Sequence, residues 1–158
     1  MDRIDKITVM VIEKPFAKPL QNAVYKLYGA QHVFVQLETG GASGIGEVVC
    51  FEKAQANAFC AYLESMKDRI LGQDARYIRK IWKALFTSMS GIGHSGFSMQ
   101  ALGAVDTALW DLNGKLLQAP VWQMLGAERS EVPVYATGGW LGSNEELVEE
   151  LCQLKSKM

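Results

Sequence analysis

The amino-acid sequence predicts an α+β chain: a three-stranded antiparallel meander, then a three-helix bundle, then one further strand and helix. Three observations lead there. Strand-like runs, β-branched or alternating, occupy the opening third of the chain. From Ala58 to Leu117 apolar side chains recur instead at helical spacing. A valine-containing run at 132–138 then precedes a second helix-like stretch that starts at Asn144.

Each element has a local cause. Residues 4–12, Ile-Asp-Lys-Ile-Thr-Val-Met-Val-Ile, are rich in β-branched side chains and read as the first strand. Pro15 and Pro19 lack the N–H that a ladder needs and are expected to end its pairing. Residues 13–30 then make a connection too long for a hairpin turn, which points to a functional or mobile loop. Residues 32–39 put Val33, Val35 and Leu37 on one face and read as the second strand. Residues 40–44, Gly-Gly-Ala-Ser-Gly, supply a turn, because glycine reaches positive φ at no steric cost. Residues 45–51 make the third strand. Ala58, Phe59, Tyr62, Met66 and Ile70 mark a helix that Gly72 stops. Asp74 is placed to cap the next, whose apolar face is Ile78, Ile81, Trp82, Leu85 and Met89. Ser98 is placed to cap a third that runs to Leu117; it is apolar over so much of its circumference that it should be central. Pro120 and a short turn over 121–126 follow. Leu147, Leu151 and Leu154 share one face of the last helix. A strand and a helix are half of a βαβ unit, and a parallel strand needs a neighbour. Residues 1–126 therefore read as one domain, and 127–158 as the incomplete start of another.

Composition excludes several classes. Of 158 residues 49% are apolar and 21% charged, an ordinary globular balance and not a disordered one. Sixteen Lys and Arg against seventeen Asp and Glu leave a net charge of −1. No basic run exceeds Arg79-Lys80, so neither nucleic acid nor an anionic membrane is an expected partner. Cys50, Cys60 and Cys152 are odd in number and form no CxxC, as befits thiols in a reducing cytosol. Residues 1–5 open no apolar leader, so a cytoplasmic location is expected. Residues 84–105 are uncharged, but their four glycines, four serines and His94 fit a connection between two soluble helices better than a membrane span.

Most candidate chemistry dissolves on inspection. Gly91-Ile92-Gly93-His94-Ser95-Gly96 matches G-x-G-x-x-G, but a helix, not a strand, precedes it, so a helix–helix connection is expected. Neither His32 nor His94 has a second ligand at i+3 or i+4. Asp106 and Asp111 diverge by about 140° around their helix and cannot share a metal. Asp111 is placed to pair with Lys115. Asp106, flanked by Ala104 and Val105, reads as a buried hydrogen-bonded structural group. Glu145, Glu146, Glu149 and Glu150 make a solvated face near a helix N-terminus. No catalytic residue and no metal ligand is assigned. Phe16, Leu20, Tyr25, Leu27 and Tyr28, with Cys50 and Phe51, read two ways: as local packing, or as a lid over a site supplied elsewhere.

The run Ala104-Val105-Asp106-Thr107-Ala108-Leu109-Trp110-Asp111-Leu112-Asn113-Gly114-Lys115, with Pro120 and Leu125-Gly126, resembles a known helix. The helix it resembles is the last capping-domain helix of the mandelate racemase/muconate lactonizing branch of the enolase superfamily. Gly44-Ile45-Gly46-Glu47 resembles the G-x-G-E segment of that domain, and residues 132–137 its first barrel strand. The likeness implies an enolase-like N-terminal capping domain at 1–126 and the start of a truncated (β/α)8 barrel at 127–158. It implies a Mg²⁺-dependent racemase, epimerase, dehydratase or cycloisomerase that abstracts the proton α to a carboxylate, that of a hydroxy or sugar acid. By the same resemblance residues 15–28 and 49–51 correspond to two substrate-specificity loops. Phe16, Tyr25, Tyr28, Val49 and Phe51 would then face the substrate, together with Thr137 at the end of the first barrel strand. The family's base and its acidic Mg²⁺ ligands lie on later barrel strands. Lys155-Ser156-Lys157 spells the K-x-K of that base, but on a helix, so the chain by itself is expected to be inactive. The implied partners are a small-molecule carboxylate substrate, the C-terminal barrel, and further copies in a homo-oligomer. The alternative is a non-catalytic capping or binding module.

Overall fold

Three strands, β1 (Lys6–Gln21), β2 (Lys26–Thr39) and β3 (Ala42–Cys50), pair antiparallel in the order β1-β2-β3. The structure is a computed structural model that describes residues 2–21, 24–135 and 143–156. Strand alternation sets the two faces. Gln31, Val33, Val35, Leu37 and Thr39 of β2 are buried, while His32, Phe34, Gln36 and Glu38 between them stay partly exposed on the open face. There the His32 imidazole meets the Glu47 carboxylate and stacks on Phe34, with ring centroids 6.3 Å apart.

The strands differ from the sequence expectation in two places. Gly40 and Gly41 alone close the second hairpin, with Gly41 at φ 124°, so Ala42, Ser43 and Gly44 already belong to β3. More consequentially, residues 13–21 and 26–30 are strand and not loop. β1 stays paired to Pro15↔Gly29, shifts register, and pairs again at Leu20↔Leu27 and Gln21↔Lys26. β1 is an edge strand, where the two prolines cost a register shift and not the ladder.

Among the described residues six helices follow: α1 (Lys53–Ser65), α2 (Lys67–Ile70), α3 (Ile78–Ser88), α4 (Phe97–Leu117), α5 (Val121–Met124) and α6 (Asn144–Ser156). The first expected helix divides at Met66, where Ser65 turns its hydroxyl onto the Tyr62 carbonyl at 2.6 Å. Asp74 caps no helix; α3 starts beyond Tyr77. Its carboxylate instead accepts from the Arg76 backbone N–H (3.1 Å) and guanidinium (2.9 and 2.7 Å), which holds its pKa down at about 2. Ser98 is not the cap of α4 either. Gly96 is, at φ 55°, and Ser98 Oγ donates back to the Gly93 and Ser95 carbonyls.

The core lies between the sheet and the helices. Ile7, Val33, Val35, Leu37 and Val48 meet Phe59, Leu63, Ile81, Leu85, Leu102, Val105, Leu109 and Leu112, all buried. α4 is central as expected, with ten of its 21 residues buried. Residues 131–135 take no regular structure, with no described neighbouring strand to pair with; the rest of the strand expected at 132–138 lies outside the described residues. In α6, Leu147 and Leu154 are half-buried and Leu151 is exposed.

Candidate functional site

The register brings two segments to one end of the sheet. Gln31 pairs with Cys50 and His32 with Val49, so β3 stops where β2 runs on to Lys26. At about 3.3 Å per residue those five further residues carry the β1–β2 arm roughly 16 Å past the end of β3. Tyr25 and Tyr28 are exposed on this arm, Tyr28 beneath the Lys26 ammonium at 5.6 Å, and Phe16 sits half-buried beside the Pro15–Gly29 pair. At the root of the arm Val49 and Phe51 are exposed, because alternation sends Val48 and Cys50 inward. Five of the six expected substrate-facing residues thus share one end of the molecule. Thr137 lies outside the described residues.

The root carries a hollow of about 540 Å³ that the sequence reading missed, lined by Val49, Phe51, Ala54, Phe59, Phe97 and Gln100 among others. Phe97 stacks on Phe59 with centroids 4.2 Å apart and leans on Tyr62 at 5.5 Å. The available signal was a large aromatic directly after Gly96, in a place where a helix start needs none. The Cys50 thiol points inward toward the Gln31 carbonyl at 3.7 Å, and burial pushes its pKa up, so it is no ready nucleophile. The irregular stretch of the arm between Pro15 and Leu20 reaches a distant element. Lys18 Nζ lies 2.9 Å from Glu146 Oε1 at the start of α6. That hydrogen bond and charge raise the pKa of Lys18 and lower that of Glu146.

Behind the hollow, β3 is joined to α4 by contacts that explain two sequence motifs at once. A Cβ on Gly46 would fall 1.9 Å from the Ala104 carbonyl oxygen, and one on Gly44 2.1 Å from that of Ala108. Only glycine allows strand and helix backbones so close. The expected Asp111–Lys115 pair forms at 2.7 Å and does more than brace the helix. Asp111 Oδ2 also accepts the Ile45 N–H at 2.9 Å, and Lys115 Nζ donates to the Ser43 carbonyl at 2.8 Å. Buried Asn113 donates to the Ala75 and Leu109 carbonyls, each at 2.8 Å. Asp106 is half-buried, which raises its pKa, and a hydrogen bond with Trp110 opposes that rise. In the G-x-G-x-x-G loop His94 Nε2 bonds the Phe86 carbonyl at 2.8 Å and the ring stacks on Phe86, so this loop connects α3 to α4.

These two motifs, a glycine-spaced strand and an Asp/Asn/Lys helix interlocked in an α+β fold, lie within a stretch that matches a family model. The chain fits the model for the mandelate racemase/muconate lactonizing enzyme N-terminal domain over residues 6–126. The chain belongs to the mandelate racemase/muconate lactonizing enzyme family. It is 32% identical over 150 residues to the D-galactarolactone cycloisomerase of Agrobacterium fabrum, covering 94% of this chain and 39% of that one. It is 30% identical to the L-talarate/galactarate dehydratase of Salmonella typhimurium, covering 87% and 36%. The crystal structure of the Salmonella dehydratase liganded with Mg and L-lyxarohydroxamate superposes with a TM-score of 0.89 at 26% identity, covering 98% of this chain and 42% of that one. An L-talarate dehydratase from Polaromonas, complexed with Mg and L-glucarate, gives 0.85 at 28%, covering 99% and 43%. The chain thus spans about two-fifths of the length of these family members, and its fold is that of their capping domain.

Mg is bound in both of those dehydratase structures, but the described residues of this chain do not fit a metal centre. Among them no group of three or more His, Cys, Asp or Glu side chains could hold an ion. Among them, too, no helix is long and apolar enough to cross a membrane.

Proposed function

We propose that residues 1–126 are the capping domain, and 127–158 the opening of the barrel, of a Mg²⁺-dependent sugar-acid dehydratase or cycloisomerase. In this reading the enzyme abstracts the proton α to the substrate carboxylate. Such a proton is too weakly acidic until the developing charge is offset, which Mg²⁺ does when it is bound. Neither the base nor the metal ligands are assigned to this chain, which alone is expected to be inactive. Its contribution is closure and selection. Tyr25 and Tyr28 offer hydroxyls to a polyhydroxylated substrate, while Phe16, Val49 and Phe51 exclude water from the site; Thr137 would face it from the barrel side.

The observation that carries this reading is the shared sheet end. A projecting arm and a second apolar segment converge in a chain whose relatives act on galactarolactone and on talarate or galactarate. The test is proton exchange by the protein that carries this chain together with its barrel, in D₂O with Mg²⁺ and galactarate, L-talarate or L-glucarate. NMR should show loss of the α-proton signal and formation of a dehydrated or cyclised product. Retention of every α-proton signal would overturn the proposal.

A further inference from the structure

We propose that Lys18 and Glu146 are positioning residues: an ion-pair latch that holds the β1–β2 arm in place over the substrate. The inference rests on the reading above that this arm faces the substrate. The arm cannot fix its own direction. Its ladder is interrupted between Pro15 and Leu20, and Lys18 falls inside that interruption. A strand pair with a gap in its register bends where the pairing fails, so its tip needs an external tie. Lys18 supplies one, reaching across 128 residues of sequence to α6.

The receiving carboxylate is already fixed before Lys18 arrives. Glu146 and Ser143 form a reciprocal cap at the start of α6. Glu146 Oε2 accepts the Ser143 N–H at 3.1 Å, and Ser143 Oγ accepts the Glu146 N–H at 3.3 Å. The other oxygen, Oε1, takes the Lys18 ammonium at 2.9 Å. Only one long side chain has to be ordered when the latch closes, which lowers the entropic cost that usually cancels surface pairs. Both partners are nonetheless exposed, with side-chain accessibilities of 74% and 52%. A pair of this kind is weak and salt-sensitive. That suits an arm that has to open and close in every turnover, which a buried tie would prevent.

The experiment is a double-mutant cycle in the intact enzyme: K18M, E146Q and K18M/E146Q, with K18R as the conservative variant. Glutamine at 146 keeps the cap of α6 and removes only the charge. At low ionic strength each single variant should raise KM about two- to fivefold with kcat little changed. The double variant should be no worse than either single, K18R should restore the wild-type KM, and 0.5 M NaCl should erase the differences. In parallel, hydrogen exchange on the 158-residue chain should show faster exchange at residues 15–21 and 26–28 in each single variant. Additive KM effects, or single variants equal to wild type at low salt, would overturn the proposal. So would unchanged exchange in the arm, whatever the activity. A latch visible in exchange, together with a wild-type enzyme that turns over no carboxylate, would overturn the substrate reading and the role proposed here, but not the contact itself.

Discussion

Replacing Gly46 by alanine tests the joint between β3 and α4 with a single methyl group. The added Cβ would lie 1.9 Å from the Ala104 carbonyl oxygen, 2.8 Å from its carbon and 3.0 Å from the Ala108 nitrogen. All three are backbone atoms of a central helix, so no side chain can swing aside. Restoring an ordinary contact near 3.4 Å would move α4 away from the sheet by roughly 1.5 Å. A gap of even 0.5–1 Å forfeits about a quarter to a half of each dispersion contact, here for Val105, Leu109 and Leu112. Overpacking usually costs about 1–3 kcal/mol, and with a rigid backbone on both sides about 3 kcal/mol or more is expected. For a chain of this size that lowers Tm by about 10 °C. The built-in control is Gly103, on the same helix with nothing within 4 Å of its would-be Cβ. Gly103→Ala should stabilise by about 0.5–1 kcal/mol through helix propensity alone. Thermal melts followed by circular dichroism, with denaturant midpoints, measure both. A Gly46→Ala variant that melts within about 2 °C of wild type would refute the close-approach argument.

Three further outcomes are expected. Asn113→Ala leaves the Ala75 carbonyl without its buried donor and should cost about 1–3 kcal/mol, read as a lower denaturant midpoint at unchanged m-value. Asp74 has a folded pKa of about 2 against about 3.9 when unfolded, so its stabilising contribution is complete above pH 4 and is lost as pH falls toward 2. Stability titrated across that window should fall less steeply in Asp74→Asn than in wild type; parallel curves would exclude the Arg76 contact as the cause. Phe51→Ala opens the hollow beside Phe97 at an already exposed position, so the melting temperature should move by less than about 2 °C. In the intact enzyme it should instead raise KM, and an unchanged KM would remove Phe51 from the substrate-facing set.

What was legible in the sequence was what local periodicity controls. The inward stripe Val33, Val35, Leu37 and the central helix from 97 to 117 stand where alternation and helical spacing put them. Helix starts were less legible. Asp74 and Ser98 are good capping residues, but Arg76 engages the first, and the hydroxyl of the second turns back to Gly93. The reading of a loop failed over 13–21 and 26–30 because a proline forbids pairing only where its missing N–H would face a partner. Whether it does depends on β1 being an edge strand, a fact of tertiary arrangement. For the same reason the hollow was invisible: Val49 and Phe97 are 48 positions apart and meet only once α4 lies under β3. Resemblance supplied the candidate site residues, since an exposed tyrosine in a strand arm carries no periodic signature.

The glycine joint has a metric consequence. Gly44 sits over Ala108 and Gly46 over Ala104, so strand and helix run antiparallel past each other. Two strand residues advance about 6.6 Å and four helix residues about 6.0 Å. The two rulers are nearly commensurate, and both glycines can be seated at once. Sliding β3 by one residue would drive the Ile45 or Glu47 side chain into a space that does not admit a methyl group. The joint therefore works as an alignment mark. It sets the axial position of β3 against the helix to within a residue, and through three and five further residues it sets where Val49 and Phe51 emerge.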